Sequence, residues 1–250
     1  MVNKVSVILP TYNEKDNVLP LILDIQSQLN NQEYEIIVVD DDSPDGTWKI
    51  VQKLREKDEK IYLIRRRGKS GLTSAISDGI DSAKGNVVVW MDTDFSMPPE
   101  KIKDLLEKID DGYDISIASR YVPGGGTVIL EKSQDSLLPA ILSFIMNFTI
   151  QKLLDSSIKD YTSGFVAVRK EVLEDIRLRG DYGEYFIDFV YRAIKRGYKI
   201  IEIPYICKAR VYGVSKTGTN IFQYFKRGIK YLWMTLRLKF TIIKKKETKS

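Results

Sequence analysis

The 250-residue chain contains no histidine. That absence removes Ser-His-Asp and Cys-His nucleophilic catalysis, the HExxH metalloprotease pattern and any imidazole metal site. Its single cysteine, Cys207, excludes an intrachain disulfide and a cysteine-based zinc site, and reads as an inert, half-buried thiol. Chemistry in this chain must come from carboxylates, cations and backbone. Long apolar runs are also missing: the longest uncharged stretch, Ser136 to Gln151, falls short of the roughly 20 residues a spanning helix needs. No transmembrane helix is expected. Nor is a signal peptide, because the first residues run straight into a strand pattern.

What is present is an ordinary globular composition, 43% hydrophobic and 29% charged, with net charge +5. The positive charge is localised. Residues Asn220 to Ser250 hold nine Lys or Arg against one Glu, which leaves 30 basic and 33 acidic residues for the rest. Such a block suggests a polyanionic surface, either nucleic acid or anionic lipid, with a merely solubilising tail as the plainer alternative.

The first half alternates short β-branched runs with helical spacing. Val5 to Leu9, Tyr34 to Val39, Ile61 to Ile64, Val87 to Met91 and Ile115 to Ala118 read as strands, and Leu19, Ile22, Leu23, Ile25 and Leu29 carry a helical period. This alternation predicts an α/β fold with a doubly wound, mostly parallel sheet, whose ligands sit beyond the carboxyl ends of the strands. The strand ends hold Pro10-Thr11-Tyr12-Asn13-Glu14, Asp40 to Gly46, Arg65 to Lys69, Asp92-Thr93-Asp94 and Ser119-Arg120-Tyr121. Any one of these could serve turn geometry alone. The second half is less regular, with an apolar segment Leu137 to Leu154, a helix near Tyr185 to Lys195 and a strand Lys199 to Ile206.

Asp92 and Asp94 leave a run that reads as a central strand. Two adjacent carboxylates there call for a neutralising cation, and a hard divalent ion, Mg²⁺ or Mn²⁺, bridging them to a diphosphate would serve. The alternative is that one of them caps the helix starting near Pro98. Asp40 to Asp42 could accept hydrogen bonds from a base or ribose, or one could cap the helix near Gly46. Tyr12 and Glu14 could bracket a base or merely begin a helix.

Seven segments decide between these alternatives. Pro10 to Glu14, Val38 to Thr47, Gly68 to Leu72, Met91 to Glu100, Ser119 to Gly125, Lys159 to Phe165 and Glu202 to Lys216 follow, in order, the pattern of the family 2 glycosyltransferases. Ser-Arg-Tyr-Val-Pro-Gly-Gly, Thr-Ser-Gly-Phe and Arg-x-x-Gly-x-Ser-Lys resemble the polyprenyl-phosphate subgroup, the dolichol-phosphate mannose synthases. The resemblance implies a GT-A-like catalytic domain over 1–218, with a nucleotide-sugar half at 1–122 and an acceptor half at 123–218. It implies nucleotide-sugar contacts at Pro10, Tyr12, Glu14, Val39, Asp41, Lys69, Asp92, Thr93 and Asp94, with the metal at Asp92 and Asp94. Acceptor-phosphate contacts fall on Arg120, Ser163, Arg210, Ser215 and Lys216, and the catalytic set is Asp94, Arg120 and Arg210. The implied partners are GDP-mannose and dolichyl (polyprenyl) phosphate, with UDP-glucose as the rival donor. Relatives commonly carry Gln and His where this chain has Ser96 and Met97, and a basic residue about where it has Glu184.

The tail, residues 219–250, reads as an interfacial helix. Phe222, Phe225, Ile229, Leu232, Leu236, Phe240 and Ile243 recur every three or four positions with Lys226, Arg227, Lys230 and Arg237 on a flank. A helix packed on the catalytic domain is the alternative. Net acidity before the tail and the apolar stripe within it argue against nucleic acid and for peripheral attachment to a cytoplasmic membrane face.

Overall fold

A computed structural model describes residues 1–128, 137–210, 212, 221–243 and 245, with backbone alone at 137–140 and 221–227. Strands β1 (Lys4–Thr11), β2 (Glu33–Asp40), β3 (Ile61–Arg65), β4 (Val87–Trp90) and β5 (Ile115–Ser119) alternate with helices α1 (Val18–Gln28), α2 (Thr47–Arg55), α3 (Leu72–Ser82) and α4 (Lys101–Asp110). These five strands lie where the β-branched runs predict them. The second half supplies α5 (Leu137–Leu153), β7 (Val166–Arg169), α6 (Lys170–Asp175), α7 (Glu184–Arg196), β8 (Ile200–Pro204) and α8 (Ile221–Lys239). A two-residue β6 (Gly126–Thr127) pairs with β9 (Ile206–Cys207) apart from the main sheet.

The main sheet has seven strands in the order β3-β2-β1-β4-β7-β5-β8. Only β7 runs antiparallel, inserted between β4 and β5. The sequence does not announce it, because Val166, Ala167 and Val168 are all buried and leave no alternation in so short a strand. Along β1, Val5, Val7 and Leu9 join the core under α1, α2 and α4, whereas Ile8 joins the core under α3, α6 and α7. Helices therefore cover both faces. On α1 the buried stripe is Val18, Leu21, Ile22 and Ile25, and Leu19 and Leu23 face solvent, so the helical period holds but its phase differs from the expected one.

Strand order reverses between β1 and β4. In open parallel sheets the connections diverge at such a point and leave a crevice beyond the strand ends. Here that crevice is bordered by Pro10 to Glu14 on one side and Asp92 to Asp94 on the other. Thr93 Oγ1 donates to the Pro10 carbonyl at 3.1 Å and pins the two strand ends together.

Helix α8 docks through Met234, Thr235 and Leu238, which are buried, while Ile229, Leu232, Trp233, Leu236 and Phe240 are exposed. Helix α5 packs against it and leaves Ile141, Leu142, Phe144, Ile145 and Phe148 exposed. The packed alternative read from the tail thus holds for one side of α8, and the other side leaves apolar side chains exposed. Among the described residues no helix is long and apolar enough to cross a membrane.

Candidate active site

Asp94 is buried and its carboxylate is already engaged by a cation. Arg210 Nη2 lies 2.6 Å from Asp94 Oδ2, and Arg210 Nη1 lies 3.2 Å from Glu14 Oε1. The guanidinium thus joins the end of β1 to the end of β4, and Asp94 Oδ1 takes the backbone N–H of Ser96 at 2.9 Å. Neither aspartate caps α4, whose N-terminus has no side-chain cap. The segment carrying Arg210 is held in place by Lys208 N–H to the Ser96 carbonyl at 2.9 Å and by Asn17 Nδ2 to the Tyr212 carbonyl at 3.2 Å. It crosses the crevice from one strand end to the other.

Asp92 is half-buried and its N–H donates to the Met97 sulfur at 3.2 Å. Met97 is buried in the core beneath α4, so this side chain supports the turn instead of entering the crevice. The Cys207 thiol is pushed up by burial and by the Asp94 and Asp92 charges, against a downward pull from Arg120. One half-buried thiol therefore feels both carboxylates and the Arg120 guanidinium. Tyr12 is exposed at the rim.

Asp41 is paired beneath the rim. Its Oδ1 accepts Arg66 Nε at 2.6 Å and Arg66 Nη2 at 2.5 Å, and its Oδ2 accepts the Gly71 N–H at 2.9 Å. Arg66 is almost fully buried and also reaches Ser74 Oγ at 2.8 Å and the Gly71 carbonyl at 2.9 Å. Asp41 thereby fixes the turn before α3. None of Asp40 to Asp42 caps α2: Asp40 binds Ser43 and Thr11, Asp42 pairs with Arg65, and Asp45 accepts the Thr47 N–H at 2.9 Å.

Arg120 forms a two-pronged pair with buried Asp160. Nε donates to Oδ2 and Nη2 to Oδ1, each at 2.8 Å, and Nη2 also reaches Thr162 Oγ1 at 2.8 Å. Burial pulls the Arg120 pKa down, but the Asp160 charge and hydrogen bonds raise it well above its ordinary value. Among the described residues Nη1 is the guanidinium nitrogen left uncommitted. Asn147 of α5 ties to the same Thr162 hydroxyl at 2.8 Å, which links α5 to the Arg120 turn.

Other expected positions fall elsewhere. Ser163 is buried and its hydroxyl donates to the Ala118 carbonyl, a fastener between β5 and the turn before β7 instead of a phosphate contact on the surface. Val39 points into the core and offers the crevice no side chain. Lys69 is exposed, 3.7 Å from Asp78. Ser215 and Lys216 lie outside the described residues.

Residues 6–177 match the glycosyl transferase family 2. The chain belongs to glycosyl transferase family 2. Over 225 residues it is 41% identical to a dolichol-phosphate mannosyltransferase of Pyrococcus furiosus, an alignment covering 89% of this chain and 62% of that one. It therefore spans less than two thirds of the Pyrococcus relative. Over 223 residues it is 40% identical to a polyprenol monophosphomannose synthase of Mycolicibacterium smegmatis, covering 86% and 82% of the two chains. Among solved structures, glucosyl-3-phosphoglycerate synthase of Mycobacterium tuberculosis with Mn²⁺, UDP and glucosyl-3-phosphoglycerate superposes with TM-score 0.65 at 16% identity, over 94% of this chain and 80% of that one. The same enzyme with Mg²⁺ and UDP gives TM-score 0.68 at 15% identity, over 94% and 79%. At such identity the likeness is one of fold.

For a family 2 chain, the donor set suits a small hard cation that brings its own ligands. Among the described residues no group of three or more His, Cys, Asp or Glu could enclose a metal. Two carboxylates on one turn are what Mg²⁺-type sites use when phosphate oxygens and water complete the shell. The guanidinium on Asp94 and Glu14 shows that this place takes positive charge.

Two partners of the family motifs escaped sequence reasoning. Arg66 sits in the run Arg65-Arg66-Arg67, and only strand parity selects which of the three turns inward. Asp160 lies in the Lys159 to Phe165 segment, but nothing local marks it as the partner of Arg120, 40 residues away.

Proposed function

We propose that this chain is an inverting glycosyltransferase that moves mannose from GDP-mannose onto a polyprenyl (dolichyl) phosphate at the cytoplasmic surface of a membrane. The observation that carries the reading is the meeting of Asp94, Glu14 and Arg210 at the strand-order reversal, in a chain 41% identical to a dolichol-phosphate mannosyltransferase. Pro10, Tyr12 and the Asp41 turn border the nucleotide end, and Arg120 lies toward the acceptor. Asp92 and Asp94 would hold Mg²⁺ or Mn²⁺, which would supply positive charge to the departing diphosphate.

Arg210 is the counter-ion of Glu14 and Asp94 before the donor arrives. A guanidinium fork matches phosphate oxygens as well as carboxylates, so incoming phosphates compete for it and draw Arg210 over the donor. Arg120, aligned by Asp160, presents a second fixed cation. A phosphate monoester has its second pKa near about 6, so the acceptor is already a dianion at neutral pH and needs no general base. That fits a chain without histidine. Rate enhancement then comes from alignment of the acceptor behind the anomeric carbon and from preorganised charge.

The exposed apolar side chains of α5 and α8, flanked by Lys230, Arg237 and Lys239, support docking on an anionic bilayer. On this reading 1–218 is the catalytic domain and 219–250 the membrane-facing segment. The test is transfer of labelled sugar to polyprenyl phosphate from GDP-mannose and from UDP-glucose, with free GDP and UDP as competitors. GDP-mannose should be used and GDP should compete. Asp94→Asn should lower turnover at least about 100-fold with the fold intact, and unchanged turnover would refute its role.

A further inference from the structure

Glu184 opens α7, is more than nine-tenths buried, and is half satisfied. Its Oε1 accepts the Asp181 N–H at 3.1 Å, while Oε2 is buried with no hydrogen-bond partner. Native proteins leave few such oxygens, because an acceptor withheld from both water and donors is destabilising.

Its surroundings say what kind of donor could reach it. The loop 180–184 rests on the start of α3: Thr73 Oγ1 donates to the Tyr182 carbonyl at 3.2 Å, and the Asp181 carbonyl oxygen lies 3.8 Å from where a Gly71 side chain would begin. Gly71 in turn donates to Asp41. On the other side Tyr185, the next residue, accepts the Trp90 indole N–H at 2.9 Å, and Trp90 stands two residues before Asp92. Glu184 therefore lies between the strand end that borders the nucleotide and the one that borders the diphosphate. Phosphate would be repelled by a carboxylate. A hexose is uncharged and carries several O–H donors.

We infer that Glu184 Oε2 accepts a hydrogen bond from one hydroxyl of the donor hexose and so sets which hexose is taken. Admission of that hydroxyl requires the loop to yield at Gly180, whose φ of +121° only glycine adopts easily and whose absent side chain leaves room for the Glu184 stem. The inference rests on the proposed nucleotide-sugar reading.

The experiment compares wild type, Glu184→Gln and Glu184→Ala in transfer from GDP-mannose and from each singly deoxygenated analogue, with GDP binding measured in parallel. Both variants should bind GDP as the wild type does and lose roughly 10- to 100-fold in kcat/KM with GDP-mannose, the worth of a hydrogen bond to a charged group. One deoxy donor should be used equally by all three proteins, because the contact it lacks is the one the variants lack. Equal losses across every donor, weakened GDP binding, or no loss at all would overturn the inference. Should Glu184→Ala fail to fold, the isosteric Gln variant carries the comparison. If the wild type transfers nothing from GDP-mannose, the donor reading fails, and the same comparison on whichever nucleotide sugar it accepts tests Glu184 separately.

Discussion

Replacing Asp160 by Asn removes a buried charge without changing its shape, and the geometry bounds the cost. Asp160 Oδ2 accepts the Arg120 N–H at 3.0 Å and Nε at 2.8 Å, whereas Oδ1 accepts Arg120 Nη2 at 2.8 Å and the Thr162 N–H at 3.1 Å. An asparagine keeps one oxygen. Whichever way its amide is turned, at least two donors face an NH₂ group, and the guanidinium beside it loses its counter-charge. Breaking a buried pair from one side costs about 3–5 kcal/mol. At roughly 2–4 °C per kcal/mol for a chain of this size, the Tm should fall by roughly 6–20 °C. Guanidinium denaturation followed by circular dichroism, with calorimetry, measures both. The double variant Arg120→Met, Asp160→Leu should cost less than Asp160→Asn alone, since no unpaired charge remains. A loss under about 1 kcal/mol for Asp160→Asn would show that the pair does not hold the turn, and a worse double variant would show that the unpaired charge is not the main cost.

Asp45→Ala should destabilise by about 1 kcal/mol through loss of the hydrogen bonds to Thr47. Burial alone would raise the Asp45 pKa, but the Thr47 hydrogen bonds bring it below its ordinary 3.8. The folded state thus favours the carboxylate, so the Asp45 contribution is full above the unfolded value and fades as pH falls through the lowered folded one; urea titrations of both proteins across acid pH should converge. Cys207 should alkylate slowly, with a midpoint above the ordinary 9.0, because burial and the Asp94 charge raise it; Asp94→Asn should bring that midpoint down, and an unmoved profile would separate the thiol from the carboxylate. Trp233→Ala and Phe240→Ala should each weaken sedimentation with phosphatidylserine vesicles at least about threefold, each losing part of a buried aromatic's transfer energy. Equal binding would refute the proposed docking of α8 on a bilayer.

Strands β1 to β5 were readable because each is a β-branched run closed by polar residues, and the helices between them follow. The antiparallel β7 was not. A four-residue strand without alternation looks like many loops, and its direction depends on the chain returning between β4 and β5. The stripe on α8 was visible as a period, but which part docks and which part stays open depends on α5 and α7.

The order of local motifs, from Pro10 to Lys216, sufficed by itself to determine the family, because each motif is a short run whose residue types answer to one strand end. The pairings among them were decided only in three dimensions. Arg210 meets Glu14 across 196 residues, Arg120 meets Asp160 across 40 and Arg66 meets Asp41 across 25. Those contacts exist because the strand order brings distant carboxyl ends to one edge, and burial there leaves each charge stable only beside its partner.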